Sequence, residues 1–167
     1  RKDGKTAGLN DNLARELLEL HTVSPARKYS ETDIRNTAKI LAGWGLGIAE
    51  FIKDFNKNKE SGNISGSTTL EKFVLTPYLK TRAEPGKKVI LGKSFPAGPK
   101  ALRKLTNMLA DDDFTAQHLS KKLAIHFIGE NASKGEVKVI YDTWKKSNGD
   151  LAAVHRATLK VAQGTKN

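Results

Sequence analysis

At 167 residues, 38% of them apolar and 28% charged, the chain is long enough for one domain with a buried core and ordinary in composition for a globular protein. It has no cysteine, which excludes disulfides, thiolate metal sites and cysteine nucleophiles. The formal charge is +11, from 29 Lys and Arg against 18 Asp and Glu, and favours anionic partners such as nucleic acid, anionic lipid or cell-wall polymer.

No apolar run reaches the ~18 residues of a membrane-spanning helix. Arg1-Lys2-Asp3-Gly4-Lys5 has no apolar stretch behind its charges, unlike a signal peptide, and reads as the cut end of a longer chain. Asn10 is an N-cap for a helix from Asn10 to His21, with Leu13, Ala14, Leu17, Leu18 and Leu20 as its apolar stripe. Pro25 ends any continuation. A second helix begins at Ser30, where Asp33 completes a cap and Tyr29 staples onto Ile34. Its core face is Ile34, Ala38 and Leu41, and the glycines around Trp44 predict a break before Ile48–Phe55.

Residues 56–69, rich in Asn, Lys, Gly, Ser and Thr, predict a mobile loop. Phe73–Leu79 and Lys88–Leu91 are the strand-like runs, interrupted by Pro77 and Pro85-Gly86, and fit a small hairpin or extended arm. Four helices follow. Gly98-Pro99 opens one with Leu102, Leu105 and Leu109 inward. Asp112 or Asp113 caps Phe114–Ile128, which is apolar nearly all round by its end and so reads as central. Ser133 and Glu136 form a capping box before Val137, Ile140, Tyr141 and Trp144. Asn148-Gly149 stops that helix, and Asp150 caps a last one from Leu151 to about Ala162. The predicted fold is all-α: a multi-helix orthogonal bundle in one domain, with an extended or hairpin insertion around residues 70–95.

Several strings also carry a resemblance: Gly8-Leu9-Asn10-Asp11-Asn12-Leu13-Ala14-Arg15-Glu16-Leu17-Leu18-Glu19-Leu20-His21-Thr22, then Tyr29-Ser30-Glu31-Thr32-Asp33 leading to Leu41-Ala42-Gly43-Trp44. Pro85-Gly86-Lys87-Lys88-Val89-Ile90-Leu91-Gly92, Phe114-Thr115-Ala116, Lys122-Leu123 and Gly149-Asp150-Leu151 continue in the same order. Together they resemble the bacterial family known as domain of unknown function eighteen hundred. The resemblance implies a longer protein of which this is the C-terminal portion, an N-terminal half as an intramolecular partner, and a periplasmic or cell-surface setting. It implies no activity. Where the family usually has a His-Asp pair before Pro-Gly, this chain has Ala83-Glu84, so a role resting on that histidine is absent here.

Two constellations bear on chemistry. On the first helix, at about 100° per residue, Asn12, Arg15, Glu16 and Glu19 fall on the polar side and His21 within the apolar one. Arg15 with Glu19, and Asn12 with Glu16, are four apart and spaced to pair. The structural reading makes Arg15/Glu19 a clamp on a neighbouring helix and His21 a hydrogen-bonded core histidine. The catalytic reading makes Glu16 and Glu19 a carboxylate pair for a divalent cation or for acid–base work, completed by Asp11, Asp111-Asp112-Asp113, His118 or His126. No HExxH spacing or other metal motif supports it, and Asp111-Asp112-Asp113 is explained by capping and the helix dipole. The second constellation is the basic run Lys80, Arg82, Lys87, Lys88, Lys93, Lys100, Arg103 and Lys104, opposed only by Glu84. It is a candidate anion-binding face, or otherwise a solvated surface.

No nucleophile elbow, P-loop, dinucleotide fingerprint or other cofactor motif occurs. The leading expectation is therefore a non-catalytic helical module of an exported bacterial protein, binding another protein or an anionic polymer. The rival is part of a metal-assisted hydrolase completed by the N-terminal half. Nucleic-acid binding rests on charge alone.

Overall fold

The computed structural model describes residues 9–45 and 78–164. The expected helix at Ile48–Phe55, the loop 56–69 and the strand-like Phe73–Pro77 lie outside the described residues.

Among the described residues the chain is mostly helical with one small hairpin. Helix α1 is Asp11–Glu19, a 3₁₀ turn follows at Pro25–Arg27, and α2 is Glu31–Leu41. The hairpin pairs β1 (Lys88–Ile90) with β2 (Lys93–Phe95). Then come α3 (Lys100–Asp111), α4 (Asp113–Phe127), α5 (Lys134–Lys146) and α6 (Leu151–Gly164). No helix among these residues is long and apolar enough to cross a membrane.

The helix boundaries follow local chemistry. Asn10 caps α1 by accepting the Leu13 N–H at 3.1 Å. Ser30 and Asp33 form the capping box of α2, as Ser133 and Glu136 do for α5. Asp112 accepts the Phe114 N–H, and Asp150 accepts that of Ala152. Asn148 and Gly149, both at positive φ, reverse the chain after α5, and the Gly149 N–H closes back on the Trp144 carbonyl at 2.9 Å. After α2, Gly43 lets the Tyr78 ring approach, since a Cβ there would stand 2.6 Å from Cε2. Trp44 packs edge-to-face on that ring at 5.4 Å and is half-buried rather than fully core.

Two apolar clusters organise the packing. The first joins Ala14 and Leu18 of α1, Ile34, Ala38 and Ile40 of α2, Ile90 and Phe95 of the hairpin, and Leu105 and Leu109 of α3. The second is built by α4, α5 and α6 around Ala124, Ile140, Trp144 and Val154. Arg27 ties the 3₁₀ turn to the start of α4: its Nε meets Asp112 at 3.0 Å and its guanidinium lies 5.6 Å from the ring centre of Phe114, which packs against the first cluster.

Three expectations are corrected. Helix α1 stops at Glu19, short of His21, and buries only the i, i+4 seam of Ala14 and Leu18, with Leu13 and Leu20 about half exposed. A short helix set chiefly against α2 covers a narrower stripe than its leucines mark out. The run at Lys88 pairs with Lys93–Phe95, a stretch outside the strand-like runs, across a two-residue turn at Leu91-Gly92. The apolar end of helix α4 is not enclosed: α4 packs against α3, α5 and α6 through Thr115, Ala116, Ser120 and Ala124, while Ile125 and Phe127 stay exposed. Its neighbours approach through these small residues, which leaves the large ones at the edges.

Candidate functional site

The first-helix constellation is dispersed. Asn12, Glu16 and His21 are exposed. Arg15 turns away from Glu19 and grips Glu31 on α2 with two bonds from one guanidinium nitrogen, at 3.0 and 2.9 Å. The clamp between helices is therefore present with a different acid. Because its side chains are 42% and 80% exposed, it adds little stability. Glu31 holds the Arg15 guanidinium charged, raising its pKa above the usual value mainly through that hydrogen bond, against a smaller effect of burial. Glu19 instead accepts from the Tyr29 hydroxyl at 3.3 Å. Burial first, then the Glu19 carboxylate, raises the pKa of that phenol.

His21 lies past the helix end, so helical phase does not govern it, and it faces solvent rather than the core. Of the residues named as possible further ligands, Asp11, Asp112, Asp113 and His118 have other partners, and Asp111 and His126 are exposed. Asp11 pairs with Arg35 at 3.3 Å, and Asp112 with Arg27. Asp113 binds Lys145 at 2.9 Å and accepts from Tyr141 at 2.8 Å. Hydrogen bonds from Lys145, Tyr141 and Gln117 lower its pKa to about 2. His118 and Lys122 both meet the Leu20 carbonyl, at 3.2 and 2.9 Å, which places two nitrogen groups at the carbonyl end of α1. Among the described residues no three acidic or histidine side chains gather as a metal would require.

The basic run separates into structural and exposed members. Lys88 is 4% exposed, and its ammonium is enclosed by the carbonyls of Glu84, Pro85 and Gly86, the last at 2.8 Å. It ties the loop to β1 and is withdrawn from any ligand. Burial is the largest cause of its lowered pKa, and nearby Lys39 acts in the same direction. Lysine is almost never fully buried without a partner, and the carbonyl cage supplies that partner; nothing in the residue string distinguishes Lys88 from Lys87.

Lys104 donates to the Ser94 carbonyl at 2.9 Å and lies over the Phe95 ring, 5.6 Å from its centre. That contact seats the first turns of α3 against β2. Lys100, Arg103 and Lys104 are spaced i, i+3, i+4 on α3, and Lys93 begins β2. Lys93, Lys100 and Arg103 are exposed and have no acidic partner among the described residues. Lys80 and Lys87 are exposed as well, and Arg82 is exposed with its guanidinium close to Gly45.

A family model described as "Protein of unknown function (DUF1800)" matches residues 1–166. No curated protein matches the chain, and no solved structure does.

Proposed function

Because the chain belongs to the DUF1800 family, whose description assigns no activity, we propose its function from its own surface: a non-catalytic helical module that binds an anionic polymer at the exposed cations of the hairpin and α3. The observation that carries this reading is the group Lys93, Lys100 and Arg103, exposed with no acidic partner among the described residues. Asp11, Glu31, Asp112, Asp113 and Asp142 hold cations inside the fold, and Asp33, Glu136 and Asp150 cap helices. Lys93, Lys100 and Arg103 face solvent instead. Glu16, Glu84, Asp111 and Glu130 are exposed as well, but none lies on β1, β2 or the first turns of α3, where the cations give a positive local potential. The family resemblance supports a periplasmic or cell-surface setting, where anionic polymers are at hand.

The test is a titration with heparin as a soluble anionic polymer at rising ionic strength. Binding should weaken steeply as the screening length falls from about 10 Å near 0.1 M salt to about 3 Å at 1 M. The triple variant K93E/K100E/R103E should abolish it, since all three positions are exposed. Absent binding, salt-independent binding, or full binding by the triple variant would overturn the proposal.

A further inference from the structure

The connection between α1 and α2 is clasped to one face of α4. Phe114, His118 and Lys122 recur every four residues along that helix and so share a face. His118 Nε2 and Lys122 Nζ both meet the Leu20 carbonyl, at 3.2 and 2.9 Å. Further along the connection, Arg27 binds Asp112 at 3.0 Å and lies over the Phe114 ring. A strap of residues 20–28 is thus held on α4 near both its ends. Between the clasps, Val23 is fully buried in the first cluster, and the Ser24 N–H donates to the Leu18 carbonyl at 2.9 Å. The strap therefore rests on α1 from one side and grips α4 from the other.

Two of its residues are strained. Ser24 stands at φ 60° and ψ 169°, a region that glycine occupies freely and other residues only at a cost. Lys28 stands at φ 54° and ψ 54°, the left-handed conformation that a Cβ disfavours. Such conformations persist where surrounding contacts over-determine them. The contacts available here are polar and reach the solvent: Lys122 is exposed, and His118 and Arg27 are half-buried. Charge near the ends of the strap and strain within it oppose one another.

We propose that residues 20–28 form a charge-latched strap. The clasps close it on α4, the strain at Ser24 and Lys28 favours its release, and it opens without unfolding α1 or α2. Screening of the clasp charges is the signal it reads, and opening frees the Phe114, His118 and Lys122 face of α4. This inference uses none of the cations assigned to polymer binding and does not rest on that reading.

Hydrogen exchange of the whole chain, read residue by residue by NMR, tests it. The amides of residues 24 and 27 should be less protected than those of Leu18 and Ala38 in α1 and α2, the mark of an opening that precedes global unfolding. K122M and R27M each remove a clasp and should lower strap protection roughly threefold to tenfold, with less change at Leu18 and Ala38. K122M should fold because Lys122 is exposed, so the test stands even where R27M disturbs the start of α4. Raising salt from about 0.1 to 1 M shortens the screening length from about 10 to about 3 Å. Strap protection in the parent should then fall, and it should fall less in R27M. S24G and S24A both lose the hydroxyl that accepts the Ala26 N–H, but only S24G relieves the strain. Its strap should be roughly threefold or more better protected than that of S24A. The proposal is overturned if the strap amides exchange only with global unfolding, or if neither K122M nor R27M lowers their protection. It is equally overturned if salt leaves the parent unchanged, or if S24G and S24A are alike.

Discussion

The carboxylate of Asp33 accepts the backbone N–H of Leu91 at 2.8 Å, across 58 residues of sequence. The same side chain closes the Ser30 capping box, so one residue both starts α2 and anchors the hairpin turn. Leu91 stands at φ 49°, a conformation costing a non-glycine residue about 1–2 kcal/mol. The hydrogen bond that its N–H donates to Asp33 and its packing against the first cluster offset that cost. Asn36, one turn further along α2, donates to the Val89 carbonyl at 2.9 Å and reinforces the join.

D33A should therefore destabilise the protein by roughly 2–4 kcal/mol, combining the loss of a cap with a buried amide left without its acceptor. Urea denaturation measures the total, and hydrogen exchange at the Leu91 amide reports the hairpin share. The pH dependence has a definite sign. Burial acts to raise the Asp33 pKa, but the hydrogen bonds from Ser30 and Leu91 outweigh it, so the pKa lies below the ordinary 3.8. A depressed folded pKa contributes stability that is present above the unfolded value and lost as pH falls through the folded one. Stability of the parent should drop with acid below about pH 4, and D33N should show a shallower drop. Identical acid profiles for the two would show that Asp33 is not the linked group.

Lys88 supports a second prediction. K88M keeps most of the buried stem and removes only the ammonium that holds the Glu84, Pro85 and Gly86 carbonyls. The loss should be about 1–3 kcal/mol, since the carbonyls lie in an exposed loop and water can reach them once it opens. K87M, next along the chain but exposed, should fall within about 0.5 kcal/mol of the parent. A comparison of the two by thermal or urea melting settles whether the cage, and not the charge of the segment, is what matters.

These residues show what the sequence made legible. Wherever the determining contact is local, the reading holds: both capping boxes, the Asn148-Gly149 stop and the Asp150 cap involve residues within a few positions of one another. Helix order and the presence of a hairpin follow from the same signals. The content of the sites depended on distant partners. Arg15 has Glu19 four residues away, yet Glu31 on α2 wins because the facing helix presents its carboxylate to the guanidinium. His21 lost its place in the core because α1 ended before it. Lys88 and Lys87 are alike in sequence and opposite in environment, a difference created by the turn at Pro85-Gly86. The β2 strand escaped notice because three residues, Lys93, Ser94 and Phe95, are too few to show alternation.

Asp113 gives a prediction read by spectroscopy rather than by stability, because its site is largely open to solvent. Lys145, Tyr141 and Gln117 all donate to it and bring its pKa to about 2 from an ordinary 3.8. K145M removes the largest of these causes, so the Asp113 carboxyl should titrate closer to its ordinary value, as followed by carbon chemical shift in an acid titration. Y141F should move it in the same direction by less. The Lys145 ammonium should in turn lose its elevated pKa in D113N, since the Asp113 hydrogen bond is the chief cause of that elevation. An unmoved Asp113 in K145M would mean that the ion pair does not persist in solution.

The joint between the 3₁₀ turn and the start of α4 can be tested by a double-mutant cycle on Arg27 and Asp112. Their contact is the least exposed of the ion pairs among the described residues, with side chains 35% and 15% exposed, and Asp112 is also the N-cap of α4. D112N retains the capping oxygen and removes the charge, whereas R27M retains an apolar stem and removes the guanidinium from both Asp112 and the Phe114 ring. Their coupling energy should be about 1 kcal/mol, above the typical exposed pair because of the partial burial and the planar fit of arginine. R27K should recover only part of it, since a lysine keeps the charge but neither the fork geometry nor the stacking on Phe114. If R27K restores full stability, the joint is held by charge alone. If the cycle gives no coupling, Arg27 and Asp112 act on their own elements, and the start of α4 is held by the packing of Phe114 against the first cluster.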